Sequence, residues 1–210
     1  CFRFVVDGGD WASYPYNRHL YNNAGQLKGG TILDRDGDML STLDEDGNRI
    51  YNDDATVRRA TLHAVGDKNG NIGAGALTSF ADKLSGYNLL TGVYSPLGTG
   101  NSLYLTIDAY LNNVAYQALN GMNGTVGVYN YKTGEILCMV STPTFDPANP
   151  PDIAADDPAW DGVYVNRLLS ANSIPGSIFK VVTLNAAIEN IPDLFQRKWT
   201  CTGSVNIGGE

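Results

Sequence analysis

The 210 residues suffice for one large domain or two small ones, and with 43% hydrophobic residues the chain can bury a core. Its 14 basic and 22 acidic residues leave a net charge of −8, which gives no electrostatic footprint for nucleic acid and would be repelled by an anionic membrane. The longest apolar run, Ile136 to Val140, is far short of the roughly 20 residues that a membrane-spanning helix needs.

In the first hundred residues, Asp36-Gly37, Asp46-Gly47 and Asn69-Gly70 each separate short segments of mixed polarity, as hairpins would. The stretch GGTILDRDGDMLSTLDEDGNRIY, from Gly29 to Tyr51, reads as a small antiparallel meander. The strings DRDGD from Asp34 and DKNGN from Asp67 have the acidity of calcium loops. Each carries its glycine at the fourth place rather than the sixth, so tight turns are expected instead. GNIGAGAL, from Gly70, lacks the third glycine of a dinucleotide loop and is set aside.

SPLGTGN, from Ser95 to Asn101, bunches proline, glycine and polar residues and marks an expected domain boundary. LYLTIDAYLNNVAYQAL then reads as a short strand followed by a helix. Asp108 is its cap, and Leu111, Val114, Ala115, Ala118 and Leu119 form one face. GTVGVYNYKTGEILCMVS reads as a hairpin turning at Lys132-Thr133-Gly134. Residues 143–158 hold five of the nine prolines and are expected to be an extended surface connection.

Three widely spaced cysteines, Cys1, Cys138 and Cys201, form no C-x-x-C pair, which argues against a zinc ribbon or a thioredoxin-type site. Whether Cys138 and Cys201 pair is left open. The two histidines, His19 and His63, are expected to be ordinary surface or core residues rather than metal ligands.

The chemistry-bearing segment is SANSIPGSIFKVVTLNAAIEN. Pro175-Gly176 suits a helix start, and the residues from Ile178 to Ile188 are apolar on nearly every side, which predicts a helix buried within a domain. Ser177 and Lys180 stand at i and i+3, on one face of that helix. Burial would disfavour the ammonium, and a neutral amine could take the serine proton. Free N–H groups at the helix start would add positive potential for an oxyanion. With 11 serines and 6 lysines in the chain, chance supplies about 0.3 S-x-x-K matches. On the residues alone, the pair is either a nucleophile with its base or a serine beside a lysine that snorkels from a helix end.

STPTFDPANP, then VNRLLSANSIPGSIFKVVTLNAAIE, then WTCTGS resemble, in order and spacing, the start of the transpeptidase domain of penicillin-binding proteins, whose signatures include S-x-x-K. GGTILDRDGDMLS is similar to the segment that opens the non-catalytic pedestal of the class B members. The chain departs from the family pattern at Ser173, at Ile178, at Lys28-Gly29-Gly30 and at the adjacent Asn17-Arg18.

The resemblance implies an α+β fold. A strand- and turn-rich pedestal would occupy residues 1–97, and the first part of the penicillin-binding, β-lactamase-like transpeptidase domain residues 98–210. It implies that Ser177 is the nucleophile and Lys180 the general base, with no cofactor and no metal. It implies peptidoglycan stem peptides as substrates, β-lactam antibiotics as covalent inhibitors, division or elongation proteins as partners of the pedestal, and no nucleic acid. The location implied is the outer face of the bacterial cytoplasmic membrane, with an N-terminal anchor outside this chain. The family's S-x-N and K-T-G motifs belong after the S-x-x-K helix. By position, Ser170-Ala171-Asn172, Ser204-Val205-Asn206 and Lys132-Thr133-Gly134 are decoys, and the 210 residues alone are expected to be inactive. A β-lactam sensor, a β-lactamase-like hydrolase using the same serine and a non-catalytic scaffold for wall assembly are the alternatives.

Overall fold

Two aspartates fold the first strands back on themselves. Asp34 Oδ1 accepts the N–H groups of Asp36 and Asp38, both at 2.9 Å, and Asp44 Oδ1 accepts those of Asp46 and Asn48 at 3.0 and 2.7 Å. These turns join β1 (Ile32–Leu33), β2 (Met39–Leu43) and β3 (Arg49–Tyr51) into the expected antiparallel meander, with Ser41 opposite both Ile32 and Tyr51. A fourth strand, β4 (Leu103–Tyr104), lies parallel to β1, so the sheet order is β3-β2-β1-β4. The computed structural model describes residues 17–25, 29–86, 100–154, 156–170 and 174–203, together with Arg3, Asp7, Trp11 and Tyr14. It divides into units of residues 1–171 and 172–210, and the architecture is α+β. No helix among the described residues is long and apolar enough to cross a membrane.

The sequence reading missed α1 (Ala55–Val65), an eleven-residue helix of the first unit. Asp54 caps it, accepting from the Thr56 N–H and hydroxyl at 2.7 Å each. Its last six residues, Ala60 to Val65, are all buried, polar Thr61 and His63 among them. Asn69-Gly70 is not a hairpin turn. It belongs to the connection from α1 to the short helices α2 (Ala76–Ser79) and α3 (Ala81–Ser85). Asp67 closes that connection, its carboxylate accepting from the N–H groups of Asn69 and Ile72 and from the Asn71 side chain. Both suspected calcium strings are thus turns whose leading carboxylate is occupied by hydrogen-bond donors of its own loop.

Ile32, Leu40, Val65, Leu77, Leu84 and Ile107 form the main core between the sheet and these helices. The chain is drawn tight here. A Cβ on Gly30 would lie 1.7 Å from the Asn101 carbonyl oxygen, so only glycine fits. Most of the expected boundary at 95–101 lies outside the described residues; its end, Asn101, donates its N–H to the Leu84 carbonyl.

Helix α4 (Ala109–Leu119) starts at the expected cap, with Asp108 Oδ1 accepting the Leu111 N–H at 2.8 Å. Its buried face is rotated from the expected one. Ala109, Asn112 and Ala115 are buried, Leu111 and Leu119 are partly buried, and Val114 and Ala118 are exposed. The cause is Asn112, a polar residue with no exposed surface. Its amide donates to Asp108 O at 2.6 Å, and its Oδ1 accepts the Met139 N–H at 3.0 Å.

The expected hairpin is β5 (Gly124–Tyr129) and β6 (Ile136–Thr142), antiparallel with Val126 opposite Val140. Ala115, Cys138 and Val140 make its core beneath α4. Residues 143–158 do not run wholly on the surface: Phe145 packs with Leu62, Ile72 and Val163 in a second buried cluster, and Asp146 is 8% exposed. A short helix, α5 (Arg167–Ser170), ends the first unit's described residues.

Candidate active site

The second unit opens with a 3₁₀ turn, Gly176–Phe179, that runs straight into α6 (Lys180–Asn190). Pro175 precedes it with φ −68°, and Gly176 takes φ +55°, a left-handed value that favours glycine. Ser177 is the second residue of the turn and Lys180 the first of α6. The Lys180 N–H donates to the Ser177 carbonyl, the three-residue link of 3₁₀ geometry. With three residues per turn, positions i and i+3 eclipse, so the turn stacks the hydroxyl-bearing and amine-bearing positions on one face. No side-chain hydrogen bond joins the two among the described residues, and no side chain caps the turn.

Burial is where the sequence expectation fails. The whole stretch from Gly176 to Leu184 is exposed, with Val181 at 73% and Leu184 at 55%. Apart from α6, the regular elements among the unit's described residues are two 3₁₀ turns of four and three residues, Gly176–Phe179 and Leu194–Gln196, too short to cover the helix.

Lys132-Thr133-Gly134 forms the expected β5–β6 turn, exposed and closed by the Gly134 N–H to the Asn130 carbonyl. Ser170 ends α5; Ala171, Asn172 and Ser204 to Asn206 lie outside the described residues. Cys138 is buried and Cys201 exposed, and each is a free thiol. Burial pushes the Cys138 thiol up to about 11. Among the described residues no group of three or more His, Cys, Asp or Glu side chains could hold a metal ion.

Sequence reasoning did not find the hydrogen-bonded cluster near the end of the first unit. His63, buried in α1, has Nε2 2.8 Å from the Val163 carbonyl, and burial lowers its pKa below the ordinary histidine value. Asn166, 1% exposed, donates to the His63 carbonyl at 3.1 Å and to Met139 Sδ at 3.0 Å. Arg167 sends its backbone N–H to Ser141 Oγ, its Nε to Thr142 O and its Nη2 to Asp161 O. The only visible cue was Asn166-Arg167 itself, two strongly polar residues directly before two leucines.

Residues 124–191 match the family model described as the penicillin-binding protein transpeptidase domain. The chain is 41% identical over 160 residues to the peptidoglycan D,D-transpeptidase MrdA of Haemophilus influenzae, covering 69% of this chain and 23% of that protein. It is 35% identical over 104 residues to the peptidoglycan D,D-transpeptidase PbpA of Mycolicibacterium smegmatis, covering 43% of this chain and 21% of that protein. Among solved structures, the D,D-transpeptidase domain of the peptidoglycan glycosyltransferase from Eggerthella lenta superposes with a TM-score of 0.57 at 30% identity, over 78% of this chain and 37% of that one. The matches span less than a quarter of the length of these curated relatives. The matched segment contains the Ser177–Lys180 turn together with the β5–β6 hairpin and α5 that precede it, and on these likenesses the chain belongs to the penicillin-binding protein transpeptidase family, in its class B branch.

Proposed function

We propose that this chain contributes the acylating serine of a peptidoglycan D,D-transpeptidase, with Ser177 as nucleophile and Lys180 as the base that takes its proton. The observation that carries the reading is the 3₁₀ link from the Lys180 N–H to the Ser177 carbonyl, which eclipses the two positions within the family-matched segment. The relatives that the chain matches are D,D-transpeptidases, which supports the same reaction class.

In the proposed reaction, Ser177 Oγ attacks the carbonyl of the penultimate D-alanine of a stem peptide, and its proton passes to the Lys180 amine. The amide bond to the terminal D-alanine breaks, and that leaving amine carries the proton away. An amine of a neighbouring stem then attacks the serine ester, forming the cross-link and returning a proton to Ser177. A β-lactam acylates the same oxygen, because its strained ring amide opens while the product stays attached. Residues 1–97 act as the non-catalytic pedestal and residues 98–210 as the start of the transpeptidase domain, on the outer face of the cytoplasmic membrane. The pedestal is the part that meets elongation or division proteins.

Treating the gene's whole product with a fluorescent penicillin and mapping the adduct by mass spectrometry tests this. One label per chain on Ser177, retained for many minutes, is expected. A label elsewhere, or none, overturns the assignment, and rapid loss of the label assigns a hydrolase instead. The 210 residues by themselves are expected to label poorly, since α6 stands uncovered in its unit.

A further inference from the structure

We propose that Thr183 is a positioning residue for the Ser177–Lys180 pair: its hydroxyl holds the peptide group that joins the serine's turn to the lysine's helix, and thereby keeps the two positions in line. This rests on the reading of Ser177 as nucleophile and Lys180 as base.

The peptide group between Phe179 and Lys180 is held at both ends. Its N–H, that of Lys180, donates to the Ser177 carbonyl. Its carbonyl, that of Phe179, accepts the Thr183 hydroxyl at 3.2 Å. One rigid plane thus carries a bond to the nucleophile's residue at one end and a bond to Thr183 at the other, with Lys180 attached to it.

The place matters because the backbone changes form there. Gly176–Phe179 is a 3₁₀ turn, and α6 follows at once. Phe179 (ψ −16°) and Lys180 (ψ −27°) both keep the shallow ψ of 3₁₀ geometry, although Lys180 is already the first residue of α6. While that form persists, positions 177 and 180 eclipse. In α-helical form the same two positions would stand about 60° apart around the axis, and the amine would swing away from the hydroxyl. A threonine that bonds the carbonyl four residues back draws that carbonyl toward itself and bends the helix, which opposes regular α-helical form at this junction.

The sequence places this hydroxyl where it can act. Val181, Val182 and Thr183 are three β-branched residues in succession, each stiff at χ1, and of the three threonine alone carries a donor. Ser177, Lys180 and Thr183 follow one another at intervals of three. Helical side chains lean toward the N-terminus, so the threonine leans onto the Phe179 peptide and the lysine toward the serine. A base displaced by about 1 Å from its nucleophile loses up to about a hundredfold in rate, so a small rotation here acts on the chemical step rather than on capture of the substrate.

The test uses the gene's whole product and the time course of fluorescent-penicillin acylation at several drug concentrations, which separates the acylation rate constant from the dissociation constant of the encounter complex. Thr183→Val keeps the shape and removes the hydroxyl; Thr183→Ala removes it with a better helix former. Both are expected to lower the acylation rate constant about fivefold, the worth of one neutral hydrogen bond, with the dissociation constant changed less than twofold. Thr183→Ser keeps the hydroxyl and is expected to restore most of the rate. Acylation within twofold of the wild type in both Thr183→Val and Thr183→Ala overturns the positioning role while leaving the nucleophile standing. Equal slowing in Thr183→Ser and Thr183→Val overturns it too, by assigning the effect to side-chain packing rather than to the hydroxyl. Absence of label on Ser177 in the wild type removes the nucleophile assignment and this role with it.

Discussion

Arg58 and Asp146 meet in a two-armed ion pair, Nε to Oδ1 and Nη2 to Oδ2 both at 2.7 Å, across 88 residues of sequence. The third nitrogen of the guanidinium donates to the carbonyls of Asn52 and Asp53, so one side chain ties the entry to α1 to the proline-rich connection. The two side chains are only 12% and 9% exposed, which lifts the pair out of the class of surface bridges that contribute almost nothing.

Asp146→Asn is expected to cost about 2 kcal/mol, the range for hydrogen bonds to a charged group. The Arg58 hydrogen bonds hold the Asp146 carboxyl down to about 2, against 3.8 ordinarily. Above pH 3.8 both folded and unfolded chains are ionised and the contribution is complete. Between 3.8 and about 2 the unfolded chain takes up a proton that the folded one refuses, so stability drains away as the pH falls. Urea midpoints across that interval should drop less steeply in Asp146→Asn than in the wild type; parallel curves would refute the linkage.

His63 provides a second titration of opposite charge type. Its ring is 1% exposed, Nε2 faces the Val163 carbonyl, and Nδ1 has no hydrogen-bond partner. Desolvation chiefly, with the charge of Arg167 as a lesser cause, lowers its pKa below 6.5. The neutral ring is therefore the folded form. As pH falls below 6.5 the unfolded chain binds the proton first and the folded state loses stability. Nitrogen NMR should find the Nε2–H tautomer at neutral pH and a titration midpoint below 6.5; a midpoint above 6.5 would contradict the burial.

Two glycines should respond unequally to alanine. At Gly30 the added methyl would meet the Asn101 backbone, so Gly30→Ala forces β1 and the 100–101 backbone apart and is expected to cost more than about 3 kcal/mol. At Gly37, in the β1–β2 turn with φ +93°, nothing lies within 4 Å, and only the backbone conformation opposes the change, at about 1 kcal/mol. Thermal unfolding of both variants checks the ranking.

Lys180→Ala separates chemistry from stability. Lys180 is exposed and makes no hydrogen bond with its side chain among the described residues, so the melting temperature should move little, within about 0.5 kcal/mol. Acylation of Ser177 in the gene's whole product should fall by about 10² or more, the worth of a general base. Equal losses in rate and stability would return Lys180 to the role of an ordinary helix-end lysine.

What the sequence disclosed, and what it hid, divides along physical lines. The meander was readable because Asp-Gly turns punctuate short strands, and the cap at Asp108 because a cap is a local hydrogen bond. Helix α1 was not picked out because polar Thr61 and His63 are buried beside its apolar residues, which blurs the contrast between faces. The face of α4 was misjudged because Asn112, a polar residue, is the one turned fully inward. Ser177 and Lys180 stand out from spacing and resemblance alone. The hydrogen bonds of Asn166 and Arg167 do not, since their partners His63, Ser141 and Thr142 are brought alongside only by folding.

Strand β4 carries an implication for modular engineering. Leu103 and Tyr104 complete the sheet that Ile32 and Leu33 begin, although they follow the proline-glycine break in the chain. A chimaera spliced at that break would strip β1 of its parallel neighbour and leave a bare backbone edge open to foreign pairing. Graft junctions between relatives should accordingly be moved past Tyr104, so that donor and recipient each keep all four strands.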